Sequence, residues 1–157
     1  MKKVYLAAFF ITSFYASAQL RIGLESNNQY YRDDNKIKLD SIDALNRYRS
    51  NTYLKADYQI NHFEFGAQLE GYLPKAILNY NPELEGLNLG TAYARYNNID
   101  KGVDITLGHF YEQFGSGLPL RFWEDRALGL NNALLGARFK YNFQDYANIT
   151  MLVGKQR

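Results

Sequence analysis

Side chains capable of nucleophilic and acid–base chemistry gather in the last third of the chain. Ser116 lies between two glycines, with His109 seven residues before it and Asp104 five residues before that, and these are the residue types of a serine hydrolase. The turn that exposes a nucleophilic serine requires glycine two positions before and two positions after it. Phe114 and Leu118 occupy those positions, so we predict no catalytic residue and expect the protein not to be an enzyme.

Carboxylates of the same region could instead bind a hard cation such as calcium through oxygen ligands. The candidates are Glu112, Glu124 and Asp125. Their spacing does not match a calcium-binding loop, and Arg121 and Arg126 would compete as counter-ions. We therefore predict neither a metal site nor a cofactor.

A structural role accounts for these residues more simply. Gly115 and Gly117 permit backbone conformations that other residues resist, which suits a sharply turning loop. The charged residues around them are expected to form an ion-pair network, and its members are Glu112, Arg121, Glu124, Asp125, Arg126, Arg138 and Lys140. Two arrangements fit the sequence: the loop at 113–132 folds inward onto Arg138 and Lys140, or it remains an exposed charged loop.

The elements that position these residues follow a period of two, which indicates β-strands. Polar and apolar side chains alternate in seven segments of roughly ten residues, with apolar faces spanning 20–24, 54–60, 63–73, 87–93, 103–107, 135–141 and 149–153. In this register His109 shares the apolar face with Leu107, whereas Asp104 lies on the polar face, so the two cannot form a catalytic relay. Tyr93 is likewise expected on the apolar face.

Long and short connections alternate along the chain. The long ones are expected at 32–50, 74–86 and 113–132, and the short ones at 61–62, 97–102 and 142–146. We therefore predict an all-β fold, an antiparallel up-and-down transmembrane β-barrel with short periplasmic turns and long extracellular loops. Seven strands do not close such a barrel, because bacterial barrels have an even strand number of at least about eight. Residues 19–157 are accordingly expected to be the N-terminal part of a larger, incomplete barrel.

The N-terminus has the parts of a secretory signal peptide. Lys2 and Lys3 supply positive charge, residues 4–15 are largely apolar, and Ala16-Ser17-Ala18 provides small residues at a cleavage site. The apolar part is too short to span a bilayer as a helix. We predict a cleavable signal peptide at 1–18 and localisation in the bacterial outer membrane after export.

The composition excludes nucleic acid and favours lipid as a partner. Removing Lys2 and Lys3 from the 18 basic residues leaves 16, which balance the 16 acidic residues, whereas a nucleic-acid binder carries a basic excess. Aromatic residues make up 16% of the chain, which is typical of a barrel with aromatic girdles. The girdle residues are expected to be Tyr58, Phe63, Phe139 and Tyr141 near the short turns, and Tyr30, Tyr93 and Tyr111 toward the long loops. Expected partners are outer-membrane lipid and small solutes in the lumen, and the oligomeric state stays open.

Glycines, aromatic residues and charges form a dense pattern in the C-terminal third. It comprises Gly108-His109-Phe110, Tyr111-Glu112-Gln113-Phe114-Gly115-Ser116-Gly117, Arg121, Glu124-Asp125-Arg126, Leu128-Gly129, Gly136-Ala137-Arg138 and Gly154-Lys155-Gln156-Arg157. This pattern resembles an uncharacterised family of Bacteroidota outer-membrane β-barrel proteins, most densely from Gly108 to Arg157. The resemblance implies the barrel fold and the outer-membrane location. Because members of that family are longer, the resemblance also implies that this chain is the N-terminal portion of such a protein. It implies no activity.

These observations predict a non-enzymatic outer-membrane β-barrel that acts as a channel or uptake protein with a loop-narrowed lumen. One alternative is a surface-binding or secretion-associated barrel whose strands only carry loops. Another is a soluble periplasmic β-sandwich that binds a ligand. Single-channel conductance separates the first two, and membrane fractionation separates both from the third.

Overall fold

The computed structural model describes residues 19–33, 36, 47–78, 85–144 and 146–157, and their regular structure is entirely β. The strands are β1 (Gln19–Tyr30), β2 (Tyr48–Ile60), β3 (Phe63–Tyr72), β4 (Gly86–Asn98), β5 (Val103–Phe110), β6 (Gln113–Phe114), β7 (Leu120–Arg121), β8 (Glu124–Asp125), β9 (Leu130–Asn131), β10 (Leu134–Phe143) and β11 (Ala147–Gln156). The all-β prediction is confirmed, and the predicted signal peptide lies outside the described residues. None of the described residues belongs to a helix long and apolar enough to cross a membrane.

Seven of the strands form one antiparallel meander in the order β1-β2-β3-β4-β5-β10-β11. Each strand therefore pairs with its neighbours along the chain, except that β6 to β9 lie in the connection between β5 and β10. The short turns are 61–62, 99–102 and 144–146, and the long connections are 31–47, 73–85 and 111–133. Because successive antiparallel strands reverse direction, all short turns lie at one end of the sheet and all long connections at the other.

The sheet has one apolar face. Its register aligns Leu20, Tyr58, Phe65, Ala94, Leu107, Ala137 and Val153 in one row across all seven strands. A second row, nearer the long connections, consists of Leu24, Leu54, Leu69 and Leu89. Side chains alternate between faces along a strand, so the opposite face carries a charged and polar row of Gln59, Glu64, Arg95, Thr106 and Arg138.

The burial of the two faces is the reverse of that in a water-soluble protein. On the polar face, Glu70 is 0% exposed and Gln68 is 2% exposed. On the apolar face, Leu24 is 72% exposed and Val153 is 71% exposed. Water-soluble proteins bury most of their leucine and valine, and a contiguous exposed apolar surface of this kind marks a contact with another protein or with a membrane.

Aromatic rings collect on the apolar face close to the short turns. The ring centroids of Phe63 and Tyr96 lie 5.1 Å apart, and those of Tyr141 and Phe143 lie 4.3 Å apart. Phe139 stacks on Tyr141 at 6.4 Å. These contacts form a belt at one end of the apolar face.

Side chains in the second half of β4 lie on the opposite face of the sheet from the one that the sequence predicts. Gln68 pairs with Thr91 and the next residue, Leu69, pairs with Leu89, so Gly90 is an extra residue in β4. Such a bulge shifts the alternation by one residue. Tyr93, predicted on the apolar face, therefore lies on the polar face, and it does not belong to an aromatic girdle.

Tyr93 fills a space that a glycine leaves open on the neighbouring strand. Gly66 on β3 pairs directly with Tyr93, and a Cβ at Gly66 would lie only 2.2 Å from Cε1 of the Tyr93 ring. The Tyr93 hydroxyl oxygen lies 2.7 Å from a carboxylate oxygen of Glu64 and 2.9 Å from one of Asp57, and its single proton can be donated to either of them. The glycine thus lets the ring lie flat on the sheet with its hydroxyl between two carboxylates.

Gly66→Ala is expected to destabilise the protein by about 1 to 3 kcal/mol, which is the usual cost of overpacking a filled site. Gly23→Ala is the matched control, because a Cβ there meets no atom within 4 Å on the same polar face. Thermal denaturation of the two purified variants measures the difference. Equal melting temperatures would contradict the packing of Tyr93 on Gly66.

Candidate functional site

The connection at 111–133 forms two small hairpins, and the second of them lies against the polar face of the sheet. In the first, Gln113 of β6 pairs with Arg121 of β7; in the second, Glu124 of β8 pairs with Asn131 of β9. Gly115 and Gly117 lie in the turn of the first hairpin with φ of 55° and 89°. Positive φ is the conformation that glycine adopts at no steric cost, so these glycines allow the chain to reverse at this point.

The base of this connection is held by an ion-pair cluster on β10. The Glu112 carboxylate lies 3.2 Å from Nη1 of Arg138 and 2.7 Å from Nζ of Lys140. Nη2 of Arg138 also donates to the Thr106 hydroxyl at 3.0 Å and lies 3.5 Å from the Asp104 carboxylate. The side chains of Glu112 and Arg138 are only 11% and 12% exposed. We call this group, Asp104, Thr106, Glu112, Arg138 and Lys140, the root cluster.

The root cluster continues across the sheet through alternating charges. Arg95 donates to both carboxylate oxygens of Asp104, at 3.0 and 2.8 Å. The same guanidinium lies 3.5 Å from Glu64, whose carboxylate accepts from Tyr93. Positive and negative groups therefore follow one another from β10 to β3, and each one compensates its neighbour.

The second hairpin is held at its tip by Arg126. Its guanidinium donates to Glu25 of β1 at 2.7 Å and to Oε1 of Gln68 of β3 at 3.0 Å. The guanidinium also lies over the Tyr53 ring of β2, 5.2 Å from the ring centroid. We call Glu25, Tyr53 and Gln68 the arginine slot. A single side chain of the loop thus contacts three strands of the sheet.

Further contacts fix the second hairpin beside the arginine slot. Asn131 donates to Glu70 at 2.7 Å, and the Tyr111 hydroxyl donates to Asn131 at 2.9 Å. Burial raises the pKa of the Tyr111 hydroxyl, and the carboxylates of Glu124 and Glu70 raise it further. Tyr111, predicted to belong to an aromatic girdle, is therefore a protonated donor within the 111–133 connection, which we call the docked loop.

A cavity of about 230 Å³ remains between the docked loop and the sheet. Its walls include Tyr93, Phe110 and Tyr111, and it reaches Gln68 and Arg126 of the arginine slot. Aromatic and charged groups thus face the same small volume.

The seven charged residues predicted as one network fall into separate groups. Glu112, Arg138 and Lys140 belong to the root cluster, whereas Arg126 and Glu124 lie 3.3 Å apart near the arginine slot. Glu124 accepts from Gln68. The guanidinium of Arg121 lies 4.9 Å from the Trp123 ring centroid, and Asp125 accepts from the backbone of Leu128. The sequence interpretation did not identify the sheet partners Glu25, Tyr53, Gln68, Glu70, Arg95 and Asp104. Alternation places all of them on the polar face except Arg95, whose face depends on the bulge at Gly90.

The residues considered for catalysis make contacts with other groups. The Asp104 carboxylate binds Arg95 and Arg138. Nδ1 of His109 lies 3.1 Å from both the backbone nitrogen and the backbone oxygen of Ala92, near the end of the β4–β5 pairing. Within the described ranges, no three acidic or histidine side chains are grouped so that they could hold a metal ion.

Comparison with known proteins identifies a family but no activity. The model of a family of unknown function (DUF6029) matches residues 1–157. This range includes the whole seven-stranded sheet and the docked loop. No curated protein and no solved structure matches the chain. The geometry of the polar face and its loop is therefore the basis for a functional proposal.

Proposed function

The chain belongs to a family of unknown function (DUF6029), and we propose that it is a membrane β-barrel protein whose polar face lines a pathway for small solutes. The observation that carries this proposal is the inverted burial of the sheet. Its polar face is covered and its leucine-rich face is open. Outer-membrane barrels have this arrangement, with an apolar exterior and a polar interior.

The dimensions of the apolar face support contact with lipid. On β3 the apolar side chains run from Phe63 to Leu69 and continue to Leu73 beyond the strand. Ten residues rising by ~3.3 Å each and tilted by about 40° cover about 25 Å, which is the height of the apolar band of an outer-membrane barrel. The aromatic belt at the short turns supports a membrane interface at that level.

Closure of the barrel requires partners for the two outer strands. Among the described residues, β1 pairs with β2 on one side and β11 pairs with β10 on one side. Unpaired backbone groups do not persist in the hydrocarbon region. The proposal therefore includes further strands, from a longer chain or from other copies, that pair with β1 and β11.

The docked loop supports a pathway that is narrowed from within. The root cluster holds Glu112, and the arginine slot holds the second hairpin of the 111–133 connection, against the polar face. A loop folded into the interior reduces the cross-section that solutes can use. We assign the protein to the outer membrane of a Gram-negative bacterium as a non-enzymatic channel or uptake protein, with the long connections outside and the short turns in the periplasm.

Single-channel recording in planar bilayers tests this function. Purified protein should produce discrete ion conductance, and replacing residues 113–131 with a short glycine-serine linker should increase it because the constriction is removed. Ser116→Ala is the control and should leave the conductance unchanged. A membrane-inserted protein without conductance in either form would reject the pathway and favour a surface-binding barrel.

The orientation can be tested with single cysteines, because the chain contains none. In intact cells, a membrane-impermeant maleimide should label the thiol of Leu118→Cys, which lies between β6 and β7 at the long-connection end. The thiol of Lys101→Cys, in the 99–102 turn, should become labelled only after lysis. The opposite pattern would reverse the proposed orientation.

A further inference from the structure

We propose that the arginine slot is a binding site for solutes that carry a guanidinium group, and that Arg126 occupies this site when the loop is docked. This inference rests on the proposed function, because it treats the polar face as the wall of a solute pathway. Arg126 then acts as an internal competitor that a solute must displace.

The chemistry of the slot is specific for a delocalised cation. The Glu25 carboxylate and the Gln68 amide oxygen accept from different nitrogens of the Arg126 guanidinium, at 2.7 and 3.0 Å. The Tyr53 ring lies beneath the same group, 5.2 Å from its central carbon. A guanidinium offers several donors in a plane and stacks on aromatic faces, so one planar cation satisfies all three contacts at once.

Arg126 is held less firmly than the base of the loop. The side chains of Arg126 and Glu25 are 30% and 44% exposed, whereas those of the pair Glu112 and Arg138 at the base of the loop are only 11% and 12% exposed. Solvent-exposed ion pairs contribute little to stability. The tip of the second hairpin can therefore leave the slot while Glu112 stays bound to Arg138 and Lys140.

The cavity beside the slot leaves room for the remainder of a solute. It has a volume of about 230 Å³ and is lined by Gln68 and Arg126 together with Tyr93, Phe110 and Tyr111. A small molecule whose guanidinium replaces that of Arg126 could place its uncharged part against these aromatic side chains. The other lining residues are polar or charged and include Glu64, Thr91 and Glu124, so the same cavity also offers hydrogen-bond partners to a polar solute.

The test compares two ligands that differ in charge but not in shape. Nα-acetyl-arginine amide carries a guanidinium as its only charge, and Nα-acetyl-citrulline amide carries a neutral group of the same outline. Isothermal titration calorimetry in detergent measures their affinity for the wild-type protein, for Arg126→Gln, and for Arg121→Gln, which removes an arginine of the same loop that lies outside the slot. Glu25→Gln combined with Arg126→Gln removes the carboxylate from the emptied slot.

Arg126→Gln should bind the arginine amide about tenfold more tightly than the wild type or Arg121→Gln, since a charge-assisted contact is worth about that factor. It should prefer the arginine amide over the citrulline amide by a similar factor, and the added Glu25→Gln should abolish this preference. Equal affinity for both ligands, or no binding to Arg126→Gln, would overturn the inference.

Tryptophan fluorescence provides a second measurement that does not depend on a variant. Trp123 is the only tryptophan of the chain and directly precedes the second hairpin. Adding the arginine amide to the wild-type protein should displace Arg126 and change the Trp123 emission, whereas adding the citrulline amide should not. An identical response to both amides would reject the slot. If the protein conducts ions but binds both amides equally, the arginine slot is rejected and the solute pathway is not. If it binds the arginine amide selectively but does not conduct ions, the slot is supported and the pathway is rejected.

Discussion

Leu107→Arg is expected to destabilise the protein in a lipid bilayer by about 2 to 4 kcal/mol, the cost of arginine near the midplane of a barrel's lipid face. Leu107 is 56% exposed and lies in the apolar row that crosses all seven strands. In a water-soluble protein, such an exposed position would tolerate arginine within about 0.5 kcal/mol. The two environments therefore predict clearly different results for one substitution.

Leu118→Arg is the matched control for this experiment. Leu118 is 92% exposed but lies in the turn between β6 and β7, outside the seven-stranded sheet. It should accept arginine with little change in the free energy of unfolding. Urea titrations of both variants and the wild type in lipid vesicles measure the costs, and equal tolerance at the two positions would mean that lipid does not cover the apolar face.

The sequence predicts the sheet well because the relevant signal is local. Alternation from Phe63 to Leu69 places each side chain on its correct face, and glycine, asparagine or aspartate in the short turns separates the strands. Such a pattern needs no knowledge of distant partners. The seven-stranded antiparallel order follows from it, because each strand pairs with the next one along the chain.

The orientation of Tyr93 was not predictable from alternation alone. A single extra residue, Gly90, reverses the faces of the rest of β4. Its neighbours Thr91 and Ala92 do not reveal the reversal, because neither is a large apolar or a charged side chain that would mark a face. The local clue is the glycine itself. A Cβ at Gly90 would lie 2.4 Å from Oε1 of Glu70, so the bulge also makes space for a buried carboxylate.

The partners of the docked loop could not be read from the chain, because ion pairing depends on three-dimensional distance. Arg126 is 101 residues from Glu25 and 58 from Gln68 along the chain. Many carboxylates of the polar face have a charge suitable for Arg126. Only the path of the second hairpin brings Arg126 to Glu25.

Arg138→Met is expected to destabilise the protein by about 2 to 3 kcal/mol, the scale of hydrogen bonds to buried charged groups. It leaves Glu112 with Lys140 alone and removes a donor from Asp104 and Thr106. Glu112→Gln should also destabilise, because Arg138 then lacks a carboxylate at the base of the loop. The double variant should be more stable than the sum of the two effects by about 1 to 2 kcal/mol, since neither partner is left unpaired.

Glu124→Gln provides the control cycle with Arg138→Met. A single ion-pair network, as expected from the sequence, would couple Glu124 with Arg138. In the structure Glu124 binds Gln68 and Arg126 instead, so the effects of these two variants should add to within about 0.5 kcal/mol. Urea titrations in vesicles measure both cycles, and coupling of Arg138 with Glu124 but not with Glu112 would contradict the observed docking. Coupling of Arg138 with Glu112 alone would show that the root cluster and the residues near the arginine slot stabilise the loop independently. The root cluster would then keep the base of the loop on the sheet when, as we propose, a solute displaces Arg126 from the slot.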